Sequence, residues 1–231
     1  MIRDPMPTLL GADAPRVLTV PMLAAALSDG RSLPARATLF KWLRAQRNSG
    51  VLRPLTRGLY LNALALPRPQ AAEAADYVRS GAVVSLQTVL GDCAVTNNYS
   101  DIVTCVVPIR NGVAPSSRPV KAPRIEFRFH AMPIRFLDER AGALADRLDL
   151  DVVYARATAE KALLDCIYLG ASPRTKLCGP PLDIELGKLN MPRLRRLAKA
   201  MGLGDALADY LSRKAMHDNS PDVQANMSTR E

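Results

Sequence analysis

Arg31, Arg36, Lys41, Arg44, Arg47, Arg53 and Arg57 follow one another with no Asp or Glu between them. A one-sign block of this kind is a solvated face, a disordered arm or a surface that pairs with phosphates. The apolar residues within it argue against an arm. Leu39 and Leu43 are four apart and Phe40 widens their stripe, while Ala37, Lys41, Arg44 and Asn48 fall near the opposite side. A helix with that pattern buries one face and offers a cationic, small-residue face to solvent. Base edges in the major groove are read from the N-terminal half of such a helix. Arg36, Ala37 and Lys41 are therefore the candidate base readers, an arginine suiting guanine O6 and N7 and a small side chain a thymine methyl. Arg31 and Ser32 stand at the entrance to the helix, whose first amides face a phosphate. Arg44 and Arg47 fall to phosphates; Arg47, nearer the buried side, alternatively covers Trp42 or an acidic partner in the fold. Arg53 and Arg57 hold the following segment against the backbone, setting register without reading sequence.

Other chemistry finds less support. Glu160, Lys161 and Asp165 share one helical segment. At 100° per residue the two carboxylates stand about 140° apart, so they do not converge as an acid pair. Lys161 and Asp165 are spaced to pair across a turn, and Glu160 favours the helix N-terminus. Ser85 lacks the glycines of a nucleophile elbow and reads as a helix cap or a buried hydroxyl. His130 has no partner visible in sequence. Cys93, Cys105, Cys166 and Cys178 include no Cys-x-x-Cys pair and, with only His130 and His217 to supplement them, do not make a metal site. Reduced, mostly buried thiols are the simpler reading. No phosphate-binding glycine loop occurs. The sequence reads as a protein that is no enzyme and needs no cofactor or metal.

The elements that must position the cations can be placed. Thr19 caps a first helix with Pro21 in its first turn; Met22, Leu23, Ala26 and Leu27 give its apolar face, and Asp29-Gly30 ends it. Ser32 and Pro34 mark the turn into the cationic helix, and Asn48-Ser49-Gly50 stops that helix, with Gly50 in a left-handed position. Val51-Leu52 and Leu59 to Leu61 read as two strands with Pro54 to Gly58 between them. Helix, helix and basic hairpin in that order describe a winged helix-turn-helix over residues 1–66. The prolines of Leu66-Pro67-Arg68-Pro69-Gln70 mark a linker. Residues 67–216 mix helices, at 71–79, 83–90, 159–169, 191–201 and 205–214, with strands at 102–107, 125–129, 134–137 and 152–154. Thr158 caps the third of those helices. The fold class is α+β. Residues 217–231 are polar and read as a disordered tail. Arg193, Arg195, Arg196 and Lys199 form either a solvated helix face or a second contact to DNA or an acidic partner.

Composition fits this division. The chain has 231 residues, 48% of them hydrophobic and 23% charged, with a net charge of +9. Seven positive charges sit in the acid-free block, so the surplus is local and points to a polyanion partner. Arg3, Asp4, Pro5 and Pro7 interrupt any signal peptide, and no apolar run reaches the ~18–20 residues that span a bilayer. A cytoplasmic protein with no membrane partner is expected.

Taken in order, the winged helix ending in Arg57-Gly58-Leu59-Tyr60, then Gly81, Ser85, Leu86 and Leu90, a strand, and Thr158-Ala159-Glu160-Lys161-Ala162-Leu163-Leu164-Asp165 resemble the AbiEi-type antitoxins over most of residues 19–200. Ala159 stands where that family commonly has proline. The resemblance implies an antitoxin from a phage-defence operon of the type IV toxin-antitoxin kind. Its N-terminal domain would bind inverted repeats in double-stranded promoter DNA and repress its own operon. Its second domain would oppose a nucleotidyltransferase-like toxin without requiring a stable complex with it. The residues alone leave two other readings open: a protein-binding module whose basic helix docks an acidic partner, and a nucleic-acid-processing enzyme with its site in the second domain.

Overall fold

The structure, a computed structural model, describes residues 9–11, 13–28, 32–97, 100–137, 148–149, 152–172 and 179–220. It is a mixed α+β chain that divides into two compact units, Met1–Ser80 with Pro119–Phe127, and Gly81–Arg118 with Arg128–Glu231.

The first unit begins with strand β1, Val17–Thr19, and helix α1, Val20–Leu27. The Thr19 hydroxyl accepts from Met22 N at 3.4 Å and Pro21 lies in the first turn, as the sequence predicts. The expected stop at Asp29-Gly30 lies outside the described residues. Helix α2 spans Arg36–Asn48, just beyond the turn that Ser32 and Pro34 mark, with Ala35 at its N-terminal cap position. Gly50, at φ +79°, turns the chain out of α2, a geometry that glycine adopts without a side-chain clash. Strands β2, Leu52–Thr56, and β3, Leu59–Asn62, then form a hairpin. It is tighter than expected. Pro54 lies within β2, and only Arg57-Gly58 separates the strands. The sheet order is β1-β3-β2, which makes β2 an edge strand, where a proline costs no ladder bond. A register shift between Pro54 and Thr56 accommodates it.

Behind these elements Leu18, Leu23, Leu27, Leu39, Leu43, Leu52 and Tyr60 make one core, with Trp42 packed at its edge. Buried Asn62 ties the lead-in down, its amide donating to Leu9 O at 3.1 Å and Pro15 O at 3.0 Å. The unit does not end at the Leu66–Gln70 linker; the division falls after Ser80. Gln70 and Glu73 form a capping box on a 3-10 turn, Ala71–Ala74, that leads into helix α3, Ala75–Val78. The Arg16 guanidinium donates to both Glu73 oxygens, at 2.5 and 2.9 Å, which fastens that turn to the N-terminal region.

The second sheet has strand order β4-β5-β7-β6. Its members are β4, Val83–Val84; β5, Ile102–Ile109; β6, Val120–Lys121; and β7, Glu126–Pro133. The helix expected over 83–90 is instead β4 followed by helix α4, Gln87–Asp92. Val83 and Val84 pair with Val106 and Cys105, and buried Leu86, at φ +60°, breaks the chain between strand and helix. Residues 134–136, expected as a strand, form a 3-10 turn after Pro133. Residues 152–154, likewise expected as a strand, are bends; the parallel bridge forms just beyond them, between Val84 and Arg156.

Helices α5, Ala159–Ala171, α6, Met191–Met201, and α7, Gly204–Asp218, complete the second unit. The Thr158 hydroxyl caps α5 as predicted, and Asn190 caps α6. The chain stays helical through Asp218 rather than fraying at His217, because Lys214 bonds both Leu182 O and Asp218 at 3.0 Å. The rest of the predicted tail, 221–231, lies outside the described residues. No helix among the described residues is long and apolar enough to cross a membrane.

Candidate nucleic-acid interface

Two leucines set the orientation of α2. Leu39 and Leu43 are 7% and 2% exposed, so the face turned away from them looks outward. Arg36, Ala37, Lys41, Arg44, Arg47 and Asn48 are all exposed, as are Arg53 and Arg57 on the hairpin and Ser32 ahead of the helix. Arg31 lies outside the described residues. None of Lys41, Arg44, Arg47, Arg53 and Arg57 has a carboxylate partner among the described residues. Arg47, for which the sequence left an acidic partner open, has none among the described residues. The electrostatic consequence is plain. Among the described residues no carboxylate neutralises these cations, and exposed charges of one sign set up a field that favours an anionic ligand.

The first turn of α2 adds to that field. Ala35 offers no side-chain cap, so the leading amides of the helix receive no bond from the cap residue and leave a partial positive charge there. At the hairpin tip Gly58 takes φ +76° and its carbonyl accepts from Val20 N at 3.1 Å, which fixes the tip against the start of α1. Arg57 is thereby held at a defined place rather than on a loose loop.

Phe40 departs from expectation. Spacing groups it with Leu39 and Leu43, yet it is 48% exposed. At 100° per residue it lies well round the helix from Leu39, on the flank that faces the hairpin. The Arg36 guanidinium lies over its ring, 5.6 Å from the centroid, a cation–π contact that holds the arginine in place. Between this flank and the hairpin is a cleft of about 340 Å³ whose lining includes Val20, Phe40, Arg47, Pro54, Arg57 and Tyr60. Nothing in the one-dimensional pattern distinguishes a flank residue over a cleft from one over the core.

The second candidate cluster is built differently. Lys161 and Asp165 pair as their spacing predicts, but both are buried, at 2% and 0% exposure of their side chains. The other carboxylate oxygen of Asp165 accepts from Ser85 Oγ at 2.7 Å, and the Ser85 carbonyl accepts from Thr104 Oγ1 at 2.6 Å. Ser85 is thus the buried hydroxyl, not the cap, of the two readings. Glu160 accepts from Asn190 N at 2.7 Å and meets Arg193 at 3.5 Å, so it fastens the start of α6 rather than acting only at its own helix end. The Ser85–Asp165 bond spans 80 residues of sequence, and no local signal announces it. Ser85, Lys161 and Asp165 are thus buried and bonded to one another.

The remaining titratable groups are structural in setting. Burial, aided by Arg128, holds His130 below its ordinary range. Burial pushes the Cys93 and Cys166 thiols up, away from thiolate. Cys105 is buried and Cys178 lies outside the described residues.

No family model matches the chain, and no curated protein matches it. Among solved structures it resembles the crystal structure of the RV2827C protein from Mycobacterium tuberculosis, at 17% identity and a TM-score of 0.45, over 89% of this chain and 78% of that one.

Proposed function

We propose that this chain is a sequence-specific DNA-binding antitoxin that represses its own toxin-antitoxin operon. In this reading the first unit works as a winged helix-turn-helix. Helix α2 enters the major groove, and the β2–β3 hairpin is the wing on the backbone. One observation carries the reading: an outward face of cations without acids, held rigid by Leu39 and Leu43 beneath it. The order of two helices and a hairpin in a β1-β3-β2 sheet supports it. The antitoxin role, opposed to a nucleotidyltransferase-like toxin, rests on the resemblance to the AbiEi-type family. The second unit is the part assigned to it.

The test is binding of the purified chain to the duplex upstream of its own gene, followed by fluorescence anisotropy between 50 and 200 mM salt. Each neutralised phosphate contributes about −0.9 to the slope of log K against log[salt], so a steep slope is expected. A flat response overturns the reading. Lys41→Ala with Arg44→Ala abolishes operator binding and leaves the circular dichroism spectrum unchanged. Wild-type affinity in that variant removes α2 from the DNA site.

A further inference from the structure

We infer that the cleft between α2 and the β2–β3 hairpin seats one sugar–phosphate unit of the DNA strand. This deepens the proposed function and rests on it. The cleft, at about 340 Å³, lies at the lower end of the roughly 300–1,000 Å³ of ligand sites. Its lining includes the apolar side chains of Val20, Pro54 and Tyr60 beside Thr56 and Gly58, with the Phe40 ring half out in solvent. Arg47 reaches its edge from the helix and Arg57 from the hairpin tip, and neither has a carboxylate partner among the described residues. Cations from the helix and from the hairpin thus share one cleft with apolar side chains. A DNA strand alternates phosphate and deoxyribose, the two kinds of group that such a mixed lining suits.

Position argues the same way. When a helix lies in the major groove and the hairpin beside it rests on the backbone, the strand bounding that groove passes between them. Phe40, Arg36 and Arg47 share the helix flank on that side. An exposed phenyl ring gains by losing water to the C2′ side of a sugar. A ribose would place its 2′-hydroxyl against the same apolar side chains with no partner, which costs binding. The seat therefore favours deoxyribose, and Phe40 acts through its apolar ring while Arg47 and Arg57 act through charge.

Phe40 also carries Arg36 through the cation–π contact, so the ribonucleotide scan, which a displaced Arg36 would not alter, is the discriminating arm. The full chain is titrated with its upstream duplex as wild type, as Phe40→Ser, and as Arg47→Ala with Arg57→Ala. Phe40→Ser should bind roughly tenfold more weakly, as expected when no phenyl ring is buried against the sugar, with the salt slope of the wild type. The arginine pair should flatten the slope by about 2, from about 0.9 per phosphate. A scan with a single ribonucleotide moved along the duplex should weaken wild-type binding at one position per bound protomer and leave Phe40→Ser indifferent. Wild-type affinity for Phe40→Ser, or a flat ribonucleotide scan, overturns the seat while leaving DNA binding by Lys41 and Arg44 standing. Displacement of DNA from the wild type by millimolar deoxynucleoside monophosphate, absent in the arginine pair, assigns the cleft to a free nucleotide and overturns the backbone assignment. Failure of the wild type to bind any upstream duplex at low salt sinks the functional reading beneath it.

Discussion

Lys41 and Lys161 both sit on thirteen-residue helices, α2 and α5, and their surroundings are opposed. Lys41 is exposed and unpaired among the described residues; Lys161 is 2% exposed and bonded to Asp165. In α2 only two residues are buried, and the cations share the remaining surface with alanines, polar groups and the aromatic rings of Phe40 and Trp42. In α5 nine are buried, among them Glu160, Lys161 and Asp165. A charge taken out of water must be met by an opposite charge and hydrogen bonds, and each of these three is. A charge left in water needs no partner and remains open to a ligand. The exposed cations of α2 thus have no acidic partner among the described residues, whereas the buried charges of α5 are paired and fix the packing around them.

The contrast is broken most severely at Asp165. Asp165→Ala leaves the Lys161 ammonium buried without a counter-charge and Ser85 Oγ without its acceptor. The expected loss is about 3–5 kcal/mol, read as a shift of the urea unfolding midpoint. Replacing the whole cluster together, as Lys161→Met, Asp165→Leu and Ser85→Ala, should recover most of that, because a buried ion pair adds little over a well-packed apolar set. Lys41→Ala with Arg44→Ala, two cations removed from the other surface, should leave the midpoint where it was. An equal loss in that variant would show the exposed cations to be structural and end the comparison.

How much of this was legible beforehand depends on the range of the interaction. Thr19, Thr158, Gly50 and the Lys161–Asp165 spacing act within one turn, and the structure places each as its local chemistry dictates. The outward set Ala37, Lys41, Arg44 and Asn48 follows from helical period alone. Phe40 did not, because period gives an angle and not what stands opposite it. Val83 and Val84 looked helical until β5 supplied a partner strand. The extension of the first unit past the prolines depends on Arg16 meeting Glu73, 57 residues away. Ser85 needed Asp165, farther still.

A smaller effect sharpens the comparison at the two helix starts. Lys161 N donates to the Thr158 hydroxyl at 3.3 Å, whereas Ala35 gives α2 no side-chain bond. Thr158→Ala should cost about 1 kcal/mol, the usual worth of such a cap. Ala35→Asp should do the reverse for stability, adding a cap and a favourable charge at the helix N-terminus. The same carboxylate would then occupy the place of a phosphate, so operator affinity should fall while the melting temperature rises. A variant that gains both would mean that the start of α2 stands clear of the DNA.

The smallest effect separates spacing from burial. Arg213 and Asp209 pair at 3.1 Å with the same four-residue spacing as Lys161 and Asp165, but their side chains are 58% and 69% exposed. Water screens both ions already, and holding two long side chains in register costs entropy. Arg213→Ala should therefore move stability by about 0.3–0.5 kcal/mol at most, fading as salt rises. The measurement is the unfolding midpoint at low and high salt, beside Asp165→Ala under the same conditions. A loss at Arg213 approaching that at Asp165 would mean that helical spacing, not desolvation, sets the strength of these pairs, and the distinction between inward and outward charges would lose its physical basis.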